Sequence, residues 1–395
     1  MKSKNFSLTV LALTSFTASA AEEESSNYSF SEALQNGETT INTRTFYFNR
    51  SFDKPGEDDA EALTVGGIMK YESANFSDTK IGLAYYGSHR LLGITDRDQG
   101  GGTSILQSNG DDIAFLGEAY IDFNMGDHQF QIGRQRLSTP LMGDHDLRLL
   151  PSSYEAAVYR NKSFKDTTLE AGYVSRYSGF TSILSGFDEQ EDKWGTDGLI
   201  YIFADTELAG VALRGQFIDT QDDDGTFKNY KYVDAKLPIG IGQETYIKGQ
   251  YGGSGYEEGD SSKMLGVKAG TTFGPLDLAI LYNKIEDNKF KAVEAGPMYS
   301  DWQQGYGNYE PSDAIGMQLV YHPSENASIK LGFVDVESED NDAFNTDTFT
   351  EANLDVKYQI SEASKLRVRY SIKNQDDNSD REDRDDFRII YYYDF

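Results

Sequence analysis

The stretch "KLRVRYSIK" (residues 365–373) sets Leu366, Val368, Tyr370 and Ile372 at one parity and Lys365, Arg367, Arg369 and Lys373 at the other. Successive side chains of a strand point to opposite faces, so a strand here has one apolar face and one cationic face. The neighbouring "ANLDVKYQI" (352–360) repeats the scheme, with Leu354, Val356, Tyr358 and Ile360 against Asn353, Asp355, Lys357 and Gln359. The same alternation runs through "LDLAILYN" (276–283), "AIGMQLVY" (314–321), "MLGVKAGTTF" (264–273) and "ETYIKGQY" (244–251). A soluble antiparallel sandwich also alternates. Two features separate this chain from one: the polar face carries Lys, Arg and Gln among many Gly, and the connections differ in length on the two sides.

Working outward, eighteen such segments can be read, the first at 38–52 and the last at 386–395. Connections after even-numbered strands are short, as in "NMGD", "PIGIG", "GP", "PSE" and "SEAS". Those after odd-numbered strands are long and acidic, as in "GFDEQEDKWGTDG", "ESEDNDAFNTD" and "NQDDNSDREDRDD". An even count of alternating strands of about ten residues, with short turns at one end and long loops at the other, is the pattern of an outer-membrane barrel. The fold class is therefore all-β, a transmembrane antiparallel β-barrel of about 18 strands. The last strand, "DFRIIYYYDF", fits that solvent: Phe387, Ile389, Tyr391, Tyr393 and Phe395 share one face, and rings near a strand end suit the interfacial girdle. A terminal Phe preceded by alternate aromatics also resembles the signal read by the barrel-assembly machinery, an expected partner during biogenesis.

The first twenty residues, "MKSKNFSLTVLALTSFTASA", set Lys2 and Lys4 before an apolar stretch from Leu8 to Phe16 and end on Ala18 and Ala20. That is the form of a secretory signal with an A-x-A cleavage site. A first transmembrane helix would need about 20 predominantly apolar residues, which this stretch lacks. The expected plan is a signal at 1–20, an N-terminal periplasmic segment at 21–37 and the barrel at 38–395. The formal net charge of -29 becomes -31 once the two signal lysines are lost, which argues against nucleic acid as a partner. Cys is absent, so no disulfide framework supports the exported chain. The mean hydropathy of -0.57 is low because half of each strand faces water inside the barrel.

One segment carries more than scaffold. "GRQRLSTPLMGDHDLRLLPSSYEA" (133–156) runs a strand into a long connection with two prolines, Asp144, His145, Asp146 and Arg148. Here the sequence resembles the OprD-type porin family, which shares a G-R-Q strand, a Thr-Pro-Leu turn and an Arg-Leu-Leu-Pro return in its third external loop. "RTFYFNR" (44–50) looks like that family's first strand, and eighteen strands is the family's count. The resemblance implies that loop three, about 137–152, folds into the barrel and narrows it. Leu141, Met142, Leu147, Leu149 and Leu150 are the residues expected to anchor it. It also implies a row of lumenal basic residues guiding small carboxylated or zwitterionic solutes. Arg367, Arg369 and Arg388 match that row by inward parity, and Asp144, Asp146 and Arg148 are the loop's candidates for the substrate path.

Each of these has a plainer alternative. The arginines could be neutralised by Asp355, Glu118, Glu155 or Glu170 and merely stiffen the wall, and the loop residues could be solvated. Arg134 and Arg136 depart from the pattern, since alternation from Phe130 and Ile132 aims both at lipid; a bulge or a place above the hydrocarbon would resolve it. His145 beside Ser138, Ser152 and Ser153 has the ingredients of a hydrolytic site without a G-x-S-x-G, so no enzyme is expected. The acidic loops show no D-x-[DN]-x-[DN]-G spacing, so no metal ligand is assigned, and no cofactor is expected. The expectation is a porin passing small hydrophilic solutes across the bacterial outer membrane, in contact with its lipid and lipopolysaccharide; a homotrimer is left open. A general, weakly cation-selective porin is the alternative favoured by the acidic loops; a barrel enzyme is the rival from another class, and an exported β-rich binding protein is a third.

Overall fold

A computed structural model describes the chain except for residues 1–27, 54–58, 96–101, 108, 144–147, 180–197, 221–226, 241–243, 257–258, 295, 301–302, 304–309, 339–347 and 376–382. The expected signal, Asp144, Asp146, His145 and Leu147 lie outside the described residues. Eighteen strands form one antiparallel sheet that closes on itself, because β1 (Glu38–Phe52) pairs with both β2 (Ala60–Glu72) and β18 (Arg384–Asp394). Closure leaves no edge, so every ladder group has a partner in a medium that offers none.

The remaining strands follow in chain order, each beside its predecessor. They are β3 (Thr79–Arg90), β4 (Ile113–Met125), β5 (His128–Gln135), β6 (Ser153–Asn161), β7 (Thr167–Ser178), β8 (Leu199–Leu208), β9 (Val211–Thr220), β10 (Phe227–Pro238) and β11 (Tyr246–Tyr256). The rest are β12 (Lys263–Phe273), β13 (Leu276–Glu286), β14 (Ser312–Ser324), β15 (Ala327–Ser338), β16 (Phe349–Gln359) and β17 (Ser364–Gln375). The short connections are tight turns where backbone geometry demands it. Ala209 and Gly210 both take positive φ, 52° and 79°, the form that matches the twist of the strands they join. Residues 21–37, expected as a plain segment, contain α1 (Phe30–Gln35), closed by a capping box in which Ser29 and Glu32 bond reciprocally. The Ser29 hydroxyl holds the Glu32 carboxyl below its ordinary range.

Parity sorts the two faces as the sequence indicates. Ile389, Tyr391 and Phe395 are outward and exposed, Phe395 at 72%, while Arg388, Ile390 and Tyr392 are buried inside. The chain end is tied to the closing seam, with the Phe395 amide donating to the Ile41 carbonyl at 2.9 Å and its ring 4.5 Å from that of Tyr393. Near the external ends, outward tyrosines donate to outward carboxylates: Tyr47 to Glu61 at 2.6 Å, Tyr370 to Asp385 at 2.6 Å, and Tyr282 to Asp313. Each pair places an apolar ring toward lipid and its polar tip toward water, as an interfacial girdle requires.

The buried apolar residues lie inside the barrel, where external loops pack against inward side chains. From loop three, Leu137, Leu141 and Met142 join Tyr154, Val174, Tyr201 and Ile218, while Leu149 and Leu150 join Phe46, Phe48 and Tyr86. Loop three is not alone in this. Ile105 and Leu106 of loop two (91–112) and Phe290 and Val293 of loop seven (287–311) are buried in the same clusters. Loops three and seven hydrogen-bond to each other, the Gly143 amide to the Glu294 carbonyl at 2.8 Å and the Val293 amide to the Leu141 carbonyl at 3.0 Å.

Candidate functional site

The cationic face of β17 is one part of a row built by strand register. Directly opposed partners share a face, and here Lys330 stands opposite Asp355, Asp355 opposite Arg369, Arg369 opposite Arg388, and Arg388 opposite Phe48. Arg369 and Arg388 are therefore at one depth. Arg367 lies one step toward the periplasmic side of Arg369 and makes a two-pronged contact with Asp355, Nε to Oδ1 at 2.9 Å and Nη2 to Oδ2 at 2.6 Å.

Phe48 is the hub. The guanidinium carbon of Arg388 lies 4.4 Å from its ring centre, that of Arg50 5.2 Å and that of Arg148 5.4 Å. An aromatic face accepts a cation through its quadrupole, and a ring shared by three lowers the cost of crowding them. Asp386 supplies the negative charge, accepting from Arg50 at 2.7 and 2.9 Å and from Arg388 Nη2 at 2.6 Å. Nε and Nη1 of Arg388 make no hydrogen bond with the described residues although the side chain is fully buried. Loop three brings in Arg148, whose carbonyl accepts from Arg44 Nη1 at 3.2 Å. Burial first, then the charges of Arg388 and Arg50, push the Arg148 guanidinium well below its ordinary value. An arginine keeps its proton through such a shift, so a charged guanidinium stands here out of water and beside two others.

Of the sequence candidates, Arg367, Arg369, Arg388 and Arg148 thus stand together on one side of the lumen. The acids named as neutralisers divide. Asp355 pairs with Arg367, but Glu118 faces Lys70 at 3.4 Å, Glu170 faces Arg160 at 2.5 Å, and Glu155 points outward to Arg176 at 2.7 Å. Arg134 joins that outward group at the external end of β5, 3.7 Å from Glu155, so its outward charge has a partner. Arg136 lies past the strand end, where alternation no longer applies.

Three contributors went unassigned: Arg50, Phe48 and Asp386. Their signal was available, since Arg44, Phe46, Phe48 and Arg50 share one parity of "RTFYFNR" and Asp386 shares that of Arg388.

A closed barrel of eighteen strands, with loops folded into a lumen whose one side is cationic, is the architecture of a porin. The family model for the outer membrane porin, OprD family, matches residues 32–395, and the chain belongs to that family. It is an outer-membrane protein through which small solutes pass. Among solved structures, Pseudomonas aeruginosa OccK9 (OpdG) aligns with a TM-score of 0.77 at 17% identity, covering 92% of this chain and 99% of the other. Acinetobacter baumannii OccAB1 gives 0.78 at 14% identity over 92% and 97%. Pseudomonas aeruginosa OpdK, solved with vanillate, gives 0.75 at 14% over 92% and 99%. At such identities the likeness establishes the fold. No curated protein sequence matches the chain closely enough to carry an inference.

Proposed function

We propose that the channel favours small solutes bearing a carboxylate, drawn along the cationic side of the lumen without energy coupling or a cofactor. The observation that carries this reading is the convergence of Arg388, Arg50 and the loop residue Arg148 on Phe48, continuous through Arg369 with Lys330. A constriction with low-dielectric walls focuses the field of such a group and raises the local concentration of anions.

The arginines themselves act chiefly through that field. Arg367, Arg369 and Arg388 are 6%, 5% and 0% exposed, while Arg44, Arg50, Lys357 and Lys365 are more open and offer the groups a solute touches. Loop three, with loop seven bonded to it, sets the narrowest part. OpdK was solved with vanillate, an aromatic carboxylate, which agrees with the chemistry proposed for this lumen. A second reading, a general and weakly cation-selective porin, draws on the acidic external loops, whose charge opposes that of the lumen.

Swelling of liposomes containing the purified protein tests the two. Small monocarboxylates should enter faster than neutral solutes of equal size, and the advantage should shrink in high salt. Equal rates at low salt would leave the general-porin reading in place.

A further inference from the structure

A second cationic group lies six to eight strands round the barrel from β18, on β12, β11 and β10. Lys236 stands directly opposite Lys248, and Lys248 directly opposite Lys268, so three lysines point into the lumen side by side, Lys236 and Lys248 near the periplasmic ends of β10 and β11 and Lys268 at the middle of β12. Like charges directly opposed across strands are destabilising. No ion pair offsets them: among the described residues no carboxylate lies within ion-pair distance of any of the three.

The nearest inward acid of β10, Asp234, is already taken, accepting from Arg214 at 2.6 and 3.0 Å and from the Tyr232 hydroxyl at 2.8 Å. What the lysines do touch is neutral. Lys236 and Lys248 lie 4.9 and 5.7 Å from the Tyr246 ring centre, and Lys268 donates to Gln318 at 3.2 Å. Several neighbouring inward positions are small, Ala212 opposite Lys236 and Gly270, Ala279 and Gly316 on the following strands, while Leu281 stands directly opposite Lys268 and the Tyr246 ring covers Gly270.

We infer that Lys236, Lys248 and Lys268 form a separate anion station that runs from the middle of the lumen at Lys268 to its periplasmic side at Lys236 and Lys248, where a carboxylated solute is held between the constriction and the periplasm. The inference rests on the reading of the lumen as an anion path and adds to it a place and a side. Lysine suits the task, since a flexible point charge holds a carboxylate without the fixed two-pronged geometry of arginine and releases it more readily. Lys268 leans toward Gln318, in the direction of Lys330, where the arginine row begins. The two groups thus make a discontinuous band along which an anion can pass from one to the other.

The test uses the full-length protein in planar bilayers, oriented by a tag in an external loop, with citrate as the blocking anion. In the variant Lys236→Gln, Lys248→Gln, Lys268→Gln, block by citrate added on the periplasmic side should weaken about tenfold, while block from the external side stays within about twofold. The corresponding triple arginine variant should keep the parental block, which separates charge from packing. Lys248→Gln alone, at the centre of the row, gives the same reading if the triple variant assembles poorly. Unchanged periplasmic block in the glutamine variants overturns the station. If Arg367→Gln, Arg369→Gln, Arg388→Gln is equally silent in selectivity, the failure belongs to the anion-path reading instead.

Discussion

At the scale of single residues, the lumen is a set of unequal bargains between cations and a few acids. Asp386 is fully buried and serves two guanidiniums, so it controls more than its own position. Removing one partner from a buried ionic group costs about 3–5 kcal/mol, because the remaining charges are left facing each other. Asp386→Asn should therefore lower the temperature at which the folded band converts to the unfolded one on a denaturing gel, and shift ionic selectivity toward anions. A variant with parental midpoint and selectivity would show that Arg50 and Arg388 do not depend on it. Phe395 lies at the other extreme. Its ring is 72% exposed and adds one member to an outward face already holding Phe387, Ile389, Tyr391 and Tyr393. Deleting it should cost the refolded barrel little, since an exposed ring leaves no cavity. The amount assembled in cells should fall, as quantified in outer-membrane fractions; normal assembly would remove any role for the terminal ring in recognition.

At the scale of elements, strands and loops differ in how plainly they can be read. Strands have a period of two set by their own backbone, so their positions in "KLRVRYSIK" or "LDLAILYN" follow from local sequence, and the observed β17 and β13 contain both stretches whole. Loop packing has no period. The burial of Ile105, Leu106, Phe290 and Val293 depends on which inward side chains stand opposite them in the closed barrel, a relation between residues far apart in the chain. The same holds for Phe48, whose role as a shared ring appears only when loop three delivers Arg148 to it. The short helix α1 spans a single turn and a half, too little for a helical period to show. Loop three carries the prediction at this scale. Removing residues 141–149 takes away the Leu141 amide that donates to Gln216 at 2.8 Å, its bonds to loop seven and the Arg148 charge. Single-channel conductance should rise and anion preference should fall together. A rise in conductance with selectivity unchanged would place the selective group on the wall alone.

At the scale of the whole molecule, an acidic protein of net charge -29 encloses a cationic side of its lumen, and the two signs act in different places. Charge in open water is screened over about 8–10 Å at physiological salt. The lumenal charge sits where field lines are confined and is screened less. The closed sheet should make the barrel resist detergent unfolding, so an unboiled sample should migrate differently from a boiled one; identical migration would contradict closure. The central claim is that the arginine row selects what passes. It is tested most directly by the reversal potential of the purified channel in a planar bilayer under a potassium chloride gradient, compared with that of the variant Arg367→Gln, Arg369→Gln, Arg388→Gln. Glutamine keeps length and polarity but removes the charge, so the variant should assemble and its reversal potential should move toward cation selectivity. A reversal potential equal to the parent's would contradict the account and leave the arginines as part of the wall.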